Sequence, residues 1–372
     1  MITDIVATIN RCAPVDGGES TARSAGRRRA KGDGRVEERA ALARHRAFWG
    51  LAQAPSPLVS TSRYTAISAS DFDLGIDAGD GIIEAECIQV EHLLTQYERM
   101  YADRGAWDGD LLWPAIPPRP VPWLEAIAGC PIYHSASSGT FFPERAVTDP
   151  TDLRRLTRPS ESPWFSKLLE LTAGIVTVSR GRYPVAFPIL RGPWDVAAAL
   201  MGSTELYLAL IDSPVEVVTM AEGCADLWLE VSARLWSIIP RWHGGYTGLL
   251  GIWSPSPTPL AQDDFSAGVS AETYGRLMAP VDRRPASHWT NGVFHLHSAG
   301  LQVLDSVLEW AYAVNVVLDP TGPSEAEVMK GLRHVQQTGH PLHVYTNDWD
   351  QAERIAHQLR PAGLAITYQP PA

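Results

Sequence analysis

The stretch between Thr247 and Thr346 constrains the fold most, because short apolar runs alternate there with amphipathic segments. The apolar runs end in polar residues and cover residues 247–254, 292–298, 314–319 and 341–346. The amphipathic segments between them cover residues 271–284, 301–310 and 324–338. This alternation predicts a parallel sheet covered by helices, either as a barrel or as a doubly wound sheet.

Both arrangements place their chemistry at the carboxyl ends of the strands. The candidate site residues are therefore the polar and aromatic residues at the ends of the apolar runs. These are Trp253, Ser254, His295, His297, Asp319, Thr346 and Asn347.

Composition limits the class of protein. The 372 residues suffice for one large α/β domain or two smaller ones, and a hydrophobic content of 45% provides for a substantial core. The net charge of −11 argues against a general nucleic-acid-binding protein, because phosphate binding needs clustered Lys and Arg.

The cysteines and the apolar runs bear on the cellular compartment. Cys12, Cys87, Cys130 and Cys224 are scattered without a Cys-x-x-Cys pair, which is typical of reduced thiols. No apolar run reaches the ~18 residues that a membrane span needs, and the N-terminus lacks an apolar signal region. We therefore expect a cytoplasmic protein without a membrane partner.

The beginning of the chain differs from the rest in composition. Residues 11–38 contain almost no large apolar side chain and include a basic run at 27–31. Such a composition predicts a flexible segment, which we place at residues 1–36. Since no linker divides the chain after residue 40, we expect residues 37–372 to form a single domain.

The periodicity of the remaining chain predicts further elements. Helices are expected over residues 37–52, 82–101, 164–179, 215–238 and 349–359, and strands over residues 111–116, 183–190 and 363–368. An eighth strand would lie within residues 61–75 or 140–147.

Dispersed segments of the chain have counterparts in one known family. Residues 191–200 (RGPWDVAAAL) resemble a Gly-Pro-x-Thr-Leu turn and helix, and residues 212–216 (DSPVE) resemble an Asp-Pro-Glu helix start. Residues 263–280 resemble a Ser-Pro-Glu-x-(Phe/Tyr) segment that ends in Pro, and residues 294–300 (FHLHSAG) resemble a strand that carries His-x-Cys-Gly. In this order the segments resemble the uroporphyrinogen decarboxylase superfamily, which includes methyltransferases serving corrinoid proteins and thiols. The resemblance covers residues 37–372 and implies an α/β fold, a (β/α)8 TIM barrel with a helical N-terminal extension.

The departures from the family pattern affect both of its main activities. The arginine motif of the decarboxylase has only Arg44 and Arg46 as counterparts, and Trp113 stands where the resemblance places an Asp that contacts the pyrroles. The zinc methyltransferases need His-x-Cys and a later Cys, because thiolates hold zinc. Here the motif reads His297-Ser-Ala and no Cys follows Cys224. We therefore expect neither uroporphyrinogen as the substrate nor the thiolate zinc site of the family.

His295 and His297 are the main candidates for chemistry. They lie two residues apart on a predicted strand, so both side chains point to the same face. Phe294 and Leu296 suit the helix layer, which directs both histidines inward.

The histidine pair leaves three interpretations open. It could chelate a metal, with Asp263, Asp264 or Asp319 as a third ligand. His297 could instead bind substrate or transfer a proton, since imidazole titrates near neutral pH. Hydrogen-bonded structural histidines are the third interpretation, and the paired acids could simply cap a helix. The candidate catalytic residues are His297, His295 and Asp264.

The candidate substrate-binding residues lie at predicted strand ends. Arg191 could clamp a carboxylate by a bidentate pair, or form an ordinary salt bridge. Trp194 and Trp253 could sandwich a planar substrate. The full set is Arg191, Trp194, Trp253, Trp113, Asp319 and Asn347.

Three functions are compatible with these observations. The leading hypothesis is a lyase resembling the decarboxylase, which acts without a cofactor on a small carboxylated, aromatic or heterocyclic molecule. In it Arg191 would hold the carboxylate and His297 would donate a proton. The second is a methyl or alkyl transferase whose zinc site is absent or built from histidines, with a corrinoid protein as partner. The third is a non-catalytic descendant of the barrel, and a homodimer is compatible with each.

Overall fold

The computed structural model describes residues 34–60, 75–76, 79–104, 107–151 and 156–369. The predicted flexible segment at residues 1–36 therefore lies almost wholly outside the described residues. So does most of the predicted strand at residues 61–75.

A parallel sheet of six strands organises the C-terminal half of the chain. Its spatial order is β1-β13-β12-β11-β10-β9, and each neighbouring pair is parallel. The strands are β1 (Leu58–Ser60), β9 (Leu260–Gln262), β10 (Val293–His297), β11 (Ala313–Val317), β12 (Leu342–Thr346) and β13 (Leu364–Tyr368).

The remaining strands form small antiparallel sheets. They are β2 (Gly81–Ile83), β3 (Trp107–Asp108), β4 (Leu111–Leu112), β5 (Ile132–Ser135), β6 (Thr140–Pro143), β7 (Tyr246–Thr247) and β8 (Trp253–Ser254).

Helices cover the parallel sheet and build the region between residues 123 and 238. They are α1 (Gly34–Trp49), α2 (Val90–Arg104), α3 (Trp123–Ala128), α4 (Pro163–Ser179), α5 (Pro193–Met201), α6 (Ser203–Asp212), α7 (Pro214–Ile238), α8 (Ala271–Thr273), α9 (Ala279–His288), α10 (Leu304–Leu308), α11 (Glu325–Gln337) and α12 (Trp349–Gln358). A π-helical turn, Tyr274–Met278, joins α8 to α9.

Helix α11 shows how the local sequence sets these elements. Ser324 and Glu327 form a capping box that satisfies the first free backbone N–H groups. Val328, Leu332 and Val335 recur at helical spacing and are buried. The predicted helix over residues 324–338 is thus confirmed.

The two faces of the parallel sheet bury different side chains. Phe294 and Leu296 belong to the main core between sheet and helices, where Phe294 contacts Trp310 at 4.9 Å between ring centroids. The opposite face begins with an apolar layer at the amino ends of the strands, which includes Leu260, Val293 and Ala313. We call this second face the inner face, because it carries the polar residues of the candidate site.

Four strands agree with the sequence-based expectation and others do not. Strands β10 to β13 lie within one or two residues of their predicted positions. Residues 247–254, predicted as one strand, instead form the hairpin β7–β8, because Gly251, with φ of 72°, allows the chain to turn. Residues 111–116 and 183–190 contribute a parallel bridge between Ala115 and Val185 rather than long strands. Strand β6 lies within residues 140–147 but joins an antiparallel sheet.

The described residues therefore show an α/β architecture with a mostly parallel sheet, and a closed eight-stranded barrel is not among their strand pairings. The helical N-terminal extension is present as α1, whose Trp49 indole donates to the backbone oxygen of Trp253 at 2.8 Å. Within the described part of the chain, no single helix combines the length and apolar character that crossing a bilayer requires, although the bent pair α5–α6 meets that test jointly.

Candidate functional site

Three side chains converge at the carboxyl end of the parallel sheet: Asp264, His295 and His297. The Oδ1 atom of Asp264 lies 3.9 Å from Nε2 of His295 and 3.7 Å from Nε2 of His297. One ligand-type atom from each of the three residues lies within 4.8 Å of the other two. All three side chains are partly exposed.

Strand β10 presents both imidazoles on its inner face. His295 and His297 alternate with Phe294 and Leu296, which are 1% exposed in the helix-covered core. The two rings are close to perpendicular, with centroids 5.1 Å apart. This placement is the one that strand periodicity predicts.

Each imidazole is held through its Nδ1 atom by the neighbouring strand β11 or its end. The Nδ1 atom of His295 lies 2.5 Å from Oδ1 of Asn315. The Nδ1 atom of His297 lies 2.6 Å from Oδ1 of Asp319. Both rings therefore direct Nε2 toward Asp264.

Asp319 is itself fixed at the end of β11. Its Oδ2 atom accepts hydrogen bonds from the Ser298 hydroxyl at 3.0 Å and from the Ala299 N–H at 3.2 Å. Burial by itself would raise the pKa of Asp319, but the hydrogen bond and charge of His297 and these two donors hold it below its usual value. Asp319 is thus an ionised partner of His297, whereas the prediction placed it among the substrate-binding residues.

Asp264 is positioned by two residues that the sequence analysis did not single out. The Oδ1 atom of Asp195 accepts hydrogen bonds from the backbone N–H groups of Asp264 and Phe265, each at 3.0 Å. The amide of Gln262 donates to Oδ2 of Asp264 at 3.2 Å. The other oxygen, Oδ1 of Asp264, is buried and has no hydrogen-bond partner.

Gly192 makes this arrangement sterically possible. A Cβ atom at position 192 would lie 1.7 Å from the backbone oxygen of Gln262, so no other residue fits between the start of α5 and β9. Helix α5 can therefore bring Asp195 against the loop that carries Asp264.

The charges of neighbouring groups give the two histidines different pKa values. Burial, together with the charge of His297, lowers the pKa of His295 to about 4. Burial also acts to lower the pKa of His297, but the hydrogen bond to Asp319 and the charge of Asp264 outweigh it and raise the pKa above its usual value. His295 is therefore neutral at neutral pH, and His297 binds a proton more readily.

Arg191 lies between two buried carboxylates. Its Nη1 atom lies 3.4 Å from Oε1 of Glu125 and its Nη2 atom 3.7 Å from Oδ1 of Asp195. Burial would lower the pKa of Arg191, but Asp195, Glu125 and Asp264 together hold it above its usual value. The structure thus favours the salt-bridge interpretation of Arg191 over the substrate clamp.

Asp263 does not join the histidines. Its Oδ1 atom accepts from the backbone N–H of Ser266 at 3.1 Å, and its buried side chain interacts with Asp282. Asp282 in turn accepts from the Tyr274 hydroxyl at 3.1 Å, and burial raises its pKa to about 8. Of the two consecutive acids, Asp264 and not Asp263 is the third member of the cluster.

The three tryptophans predicted to bind substrate are packed inside the protein. Trp194 and Trp253 are 0% and 1% exposed, and their indoles donate to the backbone oxygens of Met278 and Trp242. Trp113 is 4% exposed. These rings thus have no open face for stacking, and Asn347 is exposed after β12 without a described contact to the histidines.

Two further polar residues of the site, on β11 and β12, were not predicted from the sequence. Asn315 and His343 interrupt apolar strands, and both are buried. A polar residue in a strand covered on both faces needs an internal partner, so such interruptions are a usable signal. The strand register that pairs them could not be derived from the sequence.

The chain was compared with known proteins at three levels. No protein-family model matches it, and no curated protein matches its sequence. A solved structure, a methyltransferase from Methanosarcina mazei, superposes with a TM-score of 0.56 and 13% sequence identity. The match covers 87% of this chain and 91% of that chain.

This similarity shows a shared fold. The α/β architecture with its mostly parallel sheet is consistent with a TIM-barrel-like methyltransferase fold. That solved structure is named as a methyltransferase, which is the second activity considered above, and it gives the decarboxylase hypothesis no support.

Proposed function

We propose that the protein is a metal-dependent methyltransferase whose metal is bound by Asp264, His295 and His297. The observation that carries this proposal is the convergence of three acceptor atoms. Oδ1 of Asp264 is buried without a hydrogen-bond donor, and Nε2 of both histidines faces it. A cation between these atoms would satisfy all three.

The residues fit a divalent metal. Two imidazoles and one carboxylate form a ligand set found in catalytic zinc sites, and they leave further coordination positions open. Metal–ligand bonds of about 2.0–2.2 Å place neighbouring ligand atoms slightly over 3 Å apart. The distances of 3.7 Å and 3.9 Å between Oδ1 of Asp264 and the two Nε2 atoms would therefore shorten only slightly when a metal binds. Asn315 and Asp319 hold the rings in the orientation that such a metal needs.

The ligand set differs from the thiolate set that the family resemblance implies for zinc methyltransferases. Cys130 and Cys224 are buried, and the clustered ligand groups of the described residues contain no cysteine. Nitrogen and oxygen ligands are harder than thiolates and suit zinc, cobalt(II) or iron(II).

Methyl transfer requires an acceptor with a free lone pair and a donor that can leave with the electrons of its bond to the methyl group. The lone pair of the acceptor forms the new bond to the methyl carbon, and the donor leaves with the electrons of the broken bond. A bound divalent metal would act as a Lewis acid that favours the deprotonated acceptor at neutral pH. Asp264, His295 and His297 are each held by a second residue, so a metal bound by them would have a fixed position.

The methyl donor is the second part of the proposal. The resemblance to corrinoid-dependent methyltransferases suggests a corrinoid protein as the donor and partner. Methylcobalamin is therefore the appropriate test donor, with a small thiol as acceptor.

The first experiment measures metal content by elemental mass spectrometry in the wild type, Asp264→Asn and His297→Gln. We expect about one transition metal per chain in the wild type and its loss in both variants. His334→Gln is the matched control, because His334 also pairs with a carboxylate, Asp305, at 2.8 Å, but on the surface. A metal-free wild type after purification and after zinc or cobalt loading would overturn the proposal.

The second experiment measures demethylation of methylcobalamin by the metal-loaded protein. We expect methyl transfer to the thiol, with loss of turnover in Asp264→Asn. The same ligand set also occurs in non-haem iron(II) oxygenases, so the identity of the metal matters. Bound iron with oxygen consumption and without methyl transfer would replace the methyltransferase proposal with an oxygenase.

A further inference from the structure

Four polar side chains form a line across four adjacent strands of the inner face. They are His295 on β10, Asn315 on β11, His343 on β12 and Thr367 on β13, and we call them the inner polar row. Strand register places Asn315 opposite both His295 and His343. Asn315, His343 and Thr367 are at most 3% exposed.

Every neighbouring pair in the inner polar row is hydrogen-bonded. The Asn315 side chain lies 2.5 Å from Nδ1 of His295 and 2.7 Å from Nδ1 of His343. The Nε2 atom of His343 lies 2.9 Å from Oγ1 of Thr367. Polar groups buried this deeply cost stability unless they are paired, so the row needs one consistent set of donors and acceptors.

The backbone of β12 decides the direction of these bonds. The carbonyl oxygen of His343 can only accept, and it lies 3.2 Å from Nδ2 of Asn315. The amide nitrogen of Asn315 must therefore face His343, and its oxygen must face His295. An amide oxygen accepts, so Nδ1 of His295 carries the proton.

The same reasoning fixes the next ring with the opposite tautomer. Nδ2 of Asn315 donates to Nδ1 of His343, so that nitrogen carries no proton. Because burial keeps His343 neutral and lowers its pKa to about 3, its proton is on Nε2 and is donated to Thr367. Two histidines on either side of one asparagine are thus held in opposite tautomers.

We propose that Asn315, His343 and Thr367 are positioning residues that fix His295 in its Nδ1–H tautomer and direct its Nε2 lone pair at Asp264 and the metal position. The metal part of this inference rests on the proposed function. The tautomer part depends only on the inner polar row and can be tested without metal.

Asparagine is required at position 315 because it accepts on one side and donates on the other. Aspartate would still accept from His295, but it has no proton for Nδ1 of His343 and would place a charge in a buried layer. Leucine would keep the branched shape, although it is larger than asparagine, and would remove both bonds. These two substitutions therefore separate the acceptor role of Asn315 from its donor role.

The decisive measurement is the tautomer of each ring in the full-length, chelator-treated protein, labelled with ¹⁵N-histidine. Two-bond ¹H–¹⁵N correlation spectra distinguish the two nitrogens of each ring, and His295→Gln and His343→Gln provide the assignments. We expect Nδ1–H for His295 and Nε2–H for His343. Finding Nε2–H on His295 would overturn the inference.

A second measurement tests the consequence for metal binding, by competition of zinc with a chelator. Asn315→Leu should weaken zinc binding by about 10–100-fold, the usual effect of removing the partner of a ligand histidine. Asn291→Leu is the matched control, because Asn291 is also buried and hydrogen-bonded, to Ser254, but lies outside the inner polar row. An equal loss in both variants would reject a positioning role.

Substitutions of Thr367 cover the case in which Asn315→Leu does not fold. Thr367→Ser keeps the acceptor and should retain both the tautomers and the zinc affinity, whereas Thr367→Val leaves the Nε2–H of His343 without an acceptor and should weaken zinc binding. Unchanged zinc affinity in Thr367→Val would remove Thr367 from the positioning residues.

The two parts of the inference can fail separately. The expected tautomers with no zinc binding would support the row and overturn the metal site. The opposite tautomer of His295 with normal zinc binding would overturn the row and leave the metal site intact.

Discussion

Two histidines in different regions of the molecule, His45, which is fully buried, and His295, which is mostly buried, have similar pKa values but different hydrogen-bond partners. Burial is the main reason why the pKa values of both His45, on α1, and His295, on β10, fall to about 4. Nε2 of His45 contacts the Asp110 carbonyl at 2.6 Å, and its Nδ1 accepts the N–H of Trp253 at 2.8 Å. His295 is bonded through Nδ1 to Asn315, while its Nε2 faces the unsatisfied oxygen of Asp264.

The hydrogen-bond partners of the two rings, and not their pKa values, indicate which histidine is functional. A lowered pKa reports burial and is shared by both residues, so it does not separate them. Whether the second ring nitrogen has a protein partner does separate them. We interpret His45 as structural, because both of its nitrogens are satisfied by backbone groups.

The largest expected effect is on the free energy of unfolding when His45 or His297 is replaced by leucine. His45→Leu would leave the Asp110 carbonyl and the Trp253 N–H without partners, which should cost roughly 4 kcal/mol of unfolding free energy. His297→Leu should cost less, about 1.5–3 kcal/mol, because one hydrogen bond to a charged group is lost while Asp319 keeps two other donors, and it should abolish metal binding. Urea denaturation and metal analysis measure both quantities.

The surface variant His334→Leu serves as the control, with an expected change within about 0.5 kcal/mol. If His45→Leu lost metal at unchanged stability, the distinction between the two regions would be wrong.

A second prediction concerns pH. The folded-state pKa of His45 is about 4 and the unfolded value is 6.5, so the unfolded chain binds the extra proton between these values. The contribution of His45 to stability is therefore complete above pH 6.5 and falls by roughly 3 kcal/mol as the pH is lowered to about 4.

Denaturation of the wild type and His45→Leu at a series of pH values tests this directly. The difference in unfolding free energy between them should shrink steadily from pH 7 to pH 4. A constant difference over that range would show that His45 is not held in its neutral form by the fold.

The smallest expected effect concerns Asp319, the partner of the second proposed ligand, His297. In Asp319→Asn the amide oxygen can still accept from Nδ1 of His297, so the ring keeps its orientation, but the neighbouring charge and the hydrogen bond from the Ala299 N–H are lost. We expect zinc binding to weaken by about tenfold. Asp305→Asn, in the surface pair with His334, should leave the zinc affinity unchanged, and equal effects would argue for a general charge effect.

Much of the parallel sheet could be predicted from the sequence. Strands β10 to β13 have five residues each and are framed by amphipathic segments, so their pattern is visible without tertiary information. Strands β1 and β9 have three residues each and were not predicted, since a segment that short shows no periodicity.

The candidate site could be predicted only in part. Alternation along β10 places His295 and His297 on one face, and Asp264 was among the candidate acids. The choice between Asp263 and Asp264 could not be made from the sequence, because neighbouring residues in a loop have no fixed direction. The tryptophans were predicted to bind substrate but are buried, because a position beside Pro or Gly does not determine whether other residues cover an indole ring.

The sequence by itself determined the alternation of strands and helices and the shared face of the two histidines, because these depend on repeats of two and about 3.6 residues within a short stretch. Only the tertiary structure decided which groups meet those histidines. Asp195 lies 69 residues from Asp264, and Asn315 lies 20 from His295 and 28 from His343. Such partners are set by strand register and by the close approach at Gly192, and both arise only when the whole core has packed.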